Sequence, residues 1–306
     1  MPRHISLLFP GQGSQSLGML SSFNNDDKNL ISTISNEVLS FDLVDLVENG
    51  PEEMLNLTSY TQPAILACSY LYYKNFLSST GLKPDLLAGH SLGEYSALVA
   101  SNSIDFKEAL KLVHNRGLFM EKCDSGSMYA ILNLDLNTID TICTDISSKL
   151  NQSVSSANIN SHNQVVIAGN HEATQAVAEE CKTRGAKRAI QLKVSVASHC
   201  DLMKKASMLL SKELEEINFR IPSTPILHNI NASESNSDII NLLTNQLTHP
   251  VQWLKTMEKV KLHNGIVIEC GPGKVLTGLA KTNGIDNILN MSSKTFKEDF
   301  DNIYEQ

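Results

Sequence analysis

The residues Gly89-His90-Ser91-Leu92-Gly93 constrain this chain more than any others, because of what flanks them. The apolar run Leu86-Leu87-Ala88 ahead of them reads as a buried strand, and Leu92 to Ala100 behind them reads as a helix. A Gly-x-Ser-x-Gly set between strand and helix is a nucleophile elbow. The two glycines permit a turn too tight for larger side chains, so the serine is pushed out over the sheet edge. The helix behind it points free N–H groups and its positive dipole end at the place where a tetrahedral oxyanion would form.

The rest of the chain reads as an α/β protein, with short apolar runs alternating with helical patterns. Strands are expected at Ile5–Phe9, Leu86–Gly89, Pro225–Ile230, Ile266–Glu269 and Asn287–Leu289. Helices are expected at Pro63–Ser78, Leu92–Ala100, Asp105–Lys122, Leu202–Ile217, Ser237–Leu247, Val251–Leu262 and Val275–Lys281. Near-continuous apolar strands imply burial on both faces, hence a largely parallel central sheet. One stretch keeps another rhythm: strand Met128–Leu132, helix Asn137–Leu150, strands Val154–Ile159 and Gln164–Ala168 joined by a hairpin, helix Glu172–Thr183, strand Arg188–Leu192. That β-α-β-β-α-β order is ferredoxin-like. The expected architecture is therefore a large, discontinuous α/β domain, 1–124 and 195–306, carrying a small ferredoxin-like insert at 125–194. Asn/Ser-rich stretches at Ser21–Asn29 and Asn231–Asp238 read as surface loops.

With 306 residues, 42% of them hydrophobic, the chain can bury a large core. A net charge of −8 argues against nucleic acid as the main partner. The apolar stretch at Ile5–Phe9 is too short for a signal peptide, and no run approaches the length of a membrane span. The six cysteines, scattered without Cys-x-x-Cys or zinc spacing, suit reduced thiols in a cytoplasmic protein, with no metal.

A serine nucleophile needs a base. Of nine histidines, His199 stands out, because it follows the insert directly and a domain junction is where a cleft forms. A capping or solvent-facing histidine is the alternative. The loop Phe9-Pro10-Gly11-Gln12-Gly13-Ser14-Gln15 after the first strand lets backbone approach a ligand, so the Gln12 amide is a candidate oxyanion donor. A Rossmann phosphate loop there fails for lack of the third glycine, since position 16 is serine. Gly271-Pro272-Gly273-Lys274 reads as a tight strand-to-helix turn, because Val275 replaces the Ser/Thr of a phosphate loop. Arg116 borders the apolar stripe Phe106, Ala109, Leu110, Val113, Gly117, Met120 of its helix. It either snorkels to water or sits in a pocket as a bidentate carboxylate binder that Gln62 could orient. No acid stands out as a third triad member, and a carbonyl or amide can orient a histidine instead.

Taken together, these motifs resemble the malonyl-CoA:acyl-carrier-protein transacylases of bacterial type II fatty acid synthesis. The likeness runs almost end to end, through Thr61-Gln62-Pro63-Ala64, Gly89 to Leu98, Arg116-Gly117, Asn158-x-Asn160-Ser161, Gln164 to Gly169, Val194 to His199, Pro250-Val251-Gln252-Trp253 and Glu269-x-Gly271-Pro272-Gly273. The resemblance implies an α/β-hydrolase-like fold with a ferredoxin-like insert. It also implies an acyl-Ser91 intermediate, His199 as base and acid, an oxyanion hole from the Gln12 and Leu92 amides, Arg116 with Gln62 for the malonyl carboxylate, and a main-chain carbonyl at Gln246 orienting His199. No cofactor is implied. The partners would be malonyl-CoA and, transiently, an acidic acyl carrier protein, for which Lys187, Arg188 and Lys193 are docking candidates. The enzyme would act as a monomer. A serine thioesterase or esterase on the same scaffold, or a silent docking subunit, are the rival readings.

Overall fold

The computed structural model describes residues 4–234 and 238–304. Two sheets organise it. The first holds β1 (Ile5–Phe9), β2 (Leu86–Gly89), β7 (Ile226–Leu227), β8 (Ile266–Glu269) and β9 (Ile288–Asn290) in the order β7-β2-β1-β8-β9, every pair parallel. The second holds β3 (Ser127–Leu132), β4 (Val154–Ser161), β5 (Gln164–Gly169) and β6 (Arg188–Gln191) in the order β4-β5-β3-β6, all antiparallel. This is an α/β-hydrolase-like parallel sheet interrupted by a ferredoxin-like insert.

The parallel strands bury every residue from Ile5 to Phe9, Leu86 to Gly89 and Ile266 to Glu269, as their unbroken apolar runs require. Strand order reverses at the central β1, and the loops that leave β1, β2, β7 and β8 at their carboxyl ends meet there. Such a crevice is where open α/β sheets place their ligands. In the insert, Ile131, Ile139, Ile142, Val165, Ile167 and Val177 form a core under its two helices. The other sheet face, with Met128, Ala157, Val166 and Ala168, packs on Ala197 and Cys200 just after the insert. Cys200 is the buried, inert thiol expected of its surroundings, its pKa raised to about 11 chiefly by burial.

Several elements depart from the sequence expectation for identifiable reasons. Ser21–Asn29 is not a loop throughout: a helix begins at Asn25, and the Asn24 side chain accepts from the Asp27 amide as its N-cap. The helix expected from Pro63 begins at Thr58. Pro63 cannot donate to the Ser59 carbonyl four residues back, and that oxygen bonds His114 Nδ1 at 2.8 Å instead. The strand at Pro225–Ile230 shortens to Ile226–Leu227. The helix expected from Val251 starts at Trp253, because Val251 pairs with the insert: its amide donates to Ala157 O and its carbonyl accepts from the Ile159 amide, both at 2.9 Å. A 3-10 turn at Asp201–Met203 shortens the next helix to Lys204–Glu215. Helices Leu43–Asn49, Glu52–Leu55 and Phe296–Tyr304 had no counterpart in the sequence reading. Residues 1–3 at the amino terminus, 235–237 of the Asn231–Asp238 stretch, and with them the expected helix start at Ser237, lie outside the described residues; that helix spans Ile239–Gln246.

Both elbow glycines are fixed by close backbone approach. A Cβ at Gly89 would lie 1.9 Å from the Gly93 carbonyl carbon, and one at Gly93 would lie 2.0 Å from the Phe9 oxygen. Gly278, on the exposed side of helix Val275–Thr282, has nothing within 4 Å of such an atom. Urea unfolding is therefore expected to show Gly89→Ala destabilised by about 3 kcal/mol or more. Gly278→Ala should instead gain roughly 0.5–1 kcal/mol.

Candidate active site

Ser91 has φ +51°, a left-handed conformation that a non-glycine residue adopts only when its surroundings hold it there. The turn lifts the hydroxyl off the end of β2 toward His199, and Ser91 Oγ lies 2.8 Å from His199 Nε2. His199 is itself left-handed, with φ +62°, and buried. Its other nitrogen, Nδ1, lies 2.7 Å from the main-chain oxygen of Gln246. A carbonyl can only accept, so Nδ1 carries the proton and Nε2 is left as the acceptor for the serine hydroxyl. Burial, and after it the charge of Arg116, pulls the imidazole from its ordinary 6.5 down to about 3, against the raising effect of the Gln246 carbonyl.

Arg116 does not snorkel. It is fully buried, with Nη1 donating to Gln62 Oε1 at 2.8 Å and Nη2 to Gln246 Oε1 at 3.0 Å. Its carbon Cζ stands 5.4 Å from the Tyr95 ring centroid, within cation–π range. Burial lowers its pKa, yet a guanidinium stays protonated at any pH the fold survives. Both side-chain partners are neutral amides, and Nε makes no hydrogen bond. The guanidinium therefore has a full charge and an unused donor.

The Gln12 loop packs against the elbow so closely that a Cβ on Gly11 would meet His90 O at 2.5 Å and the Leu92 amide nitrogen at 3.8 Å. Neither the Gln12 nor the Leu92 amide has an acceptor among the described residues, while the Ser91 amide is taken by Asn229 Oδ1 at 2.7 Å. Two unspent N–H groups thus flank the serine. A cavity of about 110 Å³ opens over it, lined among others by Gln12, Ser91, Met128, Asn158, Ser198 and His199. It shares Gln12, Leu192 and Val194 with a groove of about 650 Å³ that reaches the surface past Asn56, Leu57 and Lys193.

The structure thus gathers Ser91, His199, Gln12, Leu92, Arg116, Gln62 and Gln246 at one place. Of the three basic residues, only Lys193 reaches the groove. Arg188 pairs with Leu132 at the far end of β6, roughly 10 Å along the strand from Gln191, and Lys187 lies beyond it. Sequence reasoning missed Glu94, His228, Asn229 and the Gln246 side chain. Glu94 is buried three residues after Ser91 but serves another histidine, accepting from His228 Nδ1 at 2.6 Å and from Gln246 Nε2 at 2.7 Å. Gly-His-Ser-Leu-Gly-Glu was legible as a string, but nothing in it points across 134 residues to His228.

A hydroxyl bonded to a neutral imidazole beside two uncommitted amides is equipment for acyl transfer through a covalent ester. The acyl transferase domain family matches residues 7–296, and the chain belongs to that family of acyltransferases. It is 44% identical over 285 residues to the malonyl CoA-acyl carrier protein transacylase of Escherichia coli K12, covering 90% of this chain and 91% of the relative. The Haemophilus influenzae protein of the same name is 43% identical over 288 residues, with 91% and 92% covered. Among solved structures, the malonyl CoA-acyl carrier protein transacylase of Coxiella burnetii superposes with a TM-score of 0.93 at 36% identity, covering 100% of this chain and 98% of that one. A malonyl-transacylase solved in complex with a type II polyketide acyl carrier protein gives 0.90 at 41% identity, with 98% and 99% covered. No helix among the described residues is long and apolar enough to cross a membrane.

The depressed His199 pKa has two consequences. In the free enzyme the imidazole stays neutral far below 6.5, so the acid limb of kcat/KM for Ser91 acylation should fall well under that value; a limb centred near 6.5 would contradict the geometry. Below pH 6.5 the unfolded chain also takes up a proton that folded His199 refuses, so its contribution to stability declines from pH 6.5 toward about 3. Unfolding followed by denaturant at several pH values should show that slope in the wild type and a shallower one in His199→Asn.

Proposed function

We propose that the enzyme moves a malonyl group from malonyl-CoA to the pantetheine thiol of an acyl carrier protein, supplying the extender unit of type II fatty acid synthesis. The observation that supports this reading best is Arg116, a fully buried charge that donates to two neutral amides, lies against the Tyr95 ring and sits close to a serine–histidine pair. Such a group suits an acyl chain that ends in a carboxylate. The names of the relatives agree with it.

In the first half-reaction Ser91 Oγ attacks the thioester carbonyl while His199 Nε2 takes the hydroxyl proton. The Gln12 and Leu92 amides receive the oxyanion. Collapse of the tetrahedral adduct breaks the C–S bond, and His199 returns its proton to the departing CoA sulfur. In the second, the carrier thiol gives its proton to His199 and attacks the malonyl-serine ester. The C–O bond then breaks and Ser91 recovers its proton. Through both steps the Gln246 carbonyl stabilises the imidazolium that forms. The reaction so written needs no cofactor. The substrate carboxylate takes up the spare donors of Arg116, with Gln62 and Gln246 holding the guanidinium plane. The groove past Lys193 admits the pantetheine arm, and Lys193 at its rim, with Lys187 and Arg188 further along β6, offers positive charge to an acidic carrier that docks transiently.

Intact-protein mass spectrometry after brief exposure to malonyl-CoA should show a malonyl-sized adduct on the wild type and none on Ser91→Ala, discharged by holo carrier protein. Arg116→Ala should lose malonyl loading by about tenfold to a hundredfold, the scale of one charge-assisted bond, while acetyl loading changes little. Release of CoA without any adduct would instead mark a hydrolase.

A further inference from the structure

We infer that Asn229 is the positioning residue of the nucleophile elbow, an amide clasp that holds Ser91 in its left-handed turn and keeps the Ser91 amide out of the oxyanion hole. The inference rests on Ser91 being the nucleophile and adds to that reading a residue no mechanistic step uses.

A strained turn at the edge of a sheet has two backbone groups that regular structure does not satisfy, the N–H of the strained residue and a carbonyl just before it. Here both go to one side chain. Asn229 Oδ1 accepts from the Ser91 amide at 2.7 Å, and Asn229 Nδ2 donates to the Gly89 carbonyl at 2.6 Å. The carboxamide thus spans the elbow as a peptide group of a neighbouring strand would. Register explains how it gets there. β7 is only two residues long, but it pairs Leu227 with Ala88, so two steps on, Asn229 comes beside the elbow. A strand of ordinary length would have used main-chain groups; the short strand ends and a side chain takes over.

Asn229 is held as firmly as it holds. Its amide donates to the buried Glu94 Oε2 at 3.2 Å, and its carbonyl accepts from the Gln252 amide at 2.7 Å. All four of its polar groups are therefore engaged, and the residue is 2% exposed. The consequence for chemistry is a division of labour between adjacent amides. The Ser91 N–H is consumed, the Leu92 N–H is left free, and the hydroxyl is presented to His199 at 2.8 Å. Loss of the clasp leaves a buried N–H unsatisfied and frees φ of Ser91 to relax toward ordinary values, carrying Oγ away from the imidazole. A displacement on the order of 1 Å costs about a hundredfold in rate.

The test uses a fluorophosphonate, which reacts with an activated serine and carries neither CoA nor a carboxylate. Asn229→Ala should slow phosphonylation of Ser91 and kcat for malonyl transfer by about a hundredfold, with KM for malonyl-CoA and the malonyl-to-acetyl loading ratio unchanged. Asn229→Asp supplies a readout that a merely structural residue would not move. As the neutral acid it can still accept from the Ser91 amide and donate to Gly89 O; as the carboxylate it opposes that oxygen. Glu94, bonded to its main chain, and the adjoining His228 and His90 are the titratable groups around it, and Glu94 favours the neutral acid. Its labelling rate relative to wild type should therefore rise by about tenfold as pH falls from about 8 to about 5.5. The inference is overturned by Asn229→Ala labelling within about threefold of wild type, or by a pH-independent ratio for Asn229→Asp; should the alanine variant not fold, the aspartate ratio decides alone. A wild-type adduct on a residue other than Ser91 would instead sink the underlying reading of the nucleophile.

Discussion

The hydrogen bond from His199 Nδ1 to the main-chain carbonyl of Gln246 is the contact on which the rest of the site depends. It sets the tautomer, and the tautomer makes Nε2 an acceptor for the Ser91 hydroxyl 2.8 Å away. A carboxylate in that place would do the same and also raise the imidazole pKa. A neutral carbonyl orients the ring with less of that effect, so burial and Arg116 prevail and the base stays uncharged. The arrangement is consistent within itself: Arg116 is a fixed positive charge, and a charged histidine beside it would be repelled.

Gln246 is the last residue of the helix Ile239–Gln246, and Pro250 four residues on has no N–H to offer its carbonyl, which is left free for other use. The Gln246 main chain serves His199, its Oε1 accepts from Arg116, and its Nε2 donates to Ser91 O at 3.0 Å and Glu94 Oε2 at 2.7 Å. The carboxamide orientation is forced from both ends, because a guanidinium only donates and a carboxylate only accepts. Through this one residue the serine turn, the imidazole and the guanidinium share a common support. The negative charge that balances Arg116 in the interior, Glu94, is thereby kept one side chain away from it, and the guanidinium is not spent on an internal ion pair.

How much of this was legible in the sequence follows from the range of each interaction. Local signals were read well: the elbow glycines, the apolar strands, and the β-α-β-β-α-β order of the insert are patterns within a few tens of residues. The helix Asn25–Val38 was missed because its opening Asn24-Asn25-Asp26-Asp27, a capping signal, has the composition of a loop. Val251 looked helical because periodicity cannot distinguish an apolar residue at a helix start from one bridging to another sheet. Arg116 was ambiguous for a related reason: a position at the edge of an apolar stripe can face water or a pocket, and only the Gln62 and Gln246 contacts across 54 and 130 residues decide it. Glu94 and Asn229 gave no sequence signal, since their roles exist only once β7 is laid beside β2.

The most direct measurement is nitrogen-15 NMR of the imidazole ring nitrogens across a pH series, with His199 assigned by comparison with His199→Asn. The spectra should show a protonated Nδ1, an unprotonated Nε2 hydrogen-bonded to Ser91, and no titration on passing through the ordinary 6.5. A ring that carries its proton on Nε2, or that becomes imidazolium near 6.5, would contradict His199 as an uncharged base acting through Nε2.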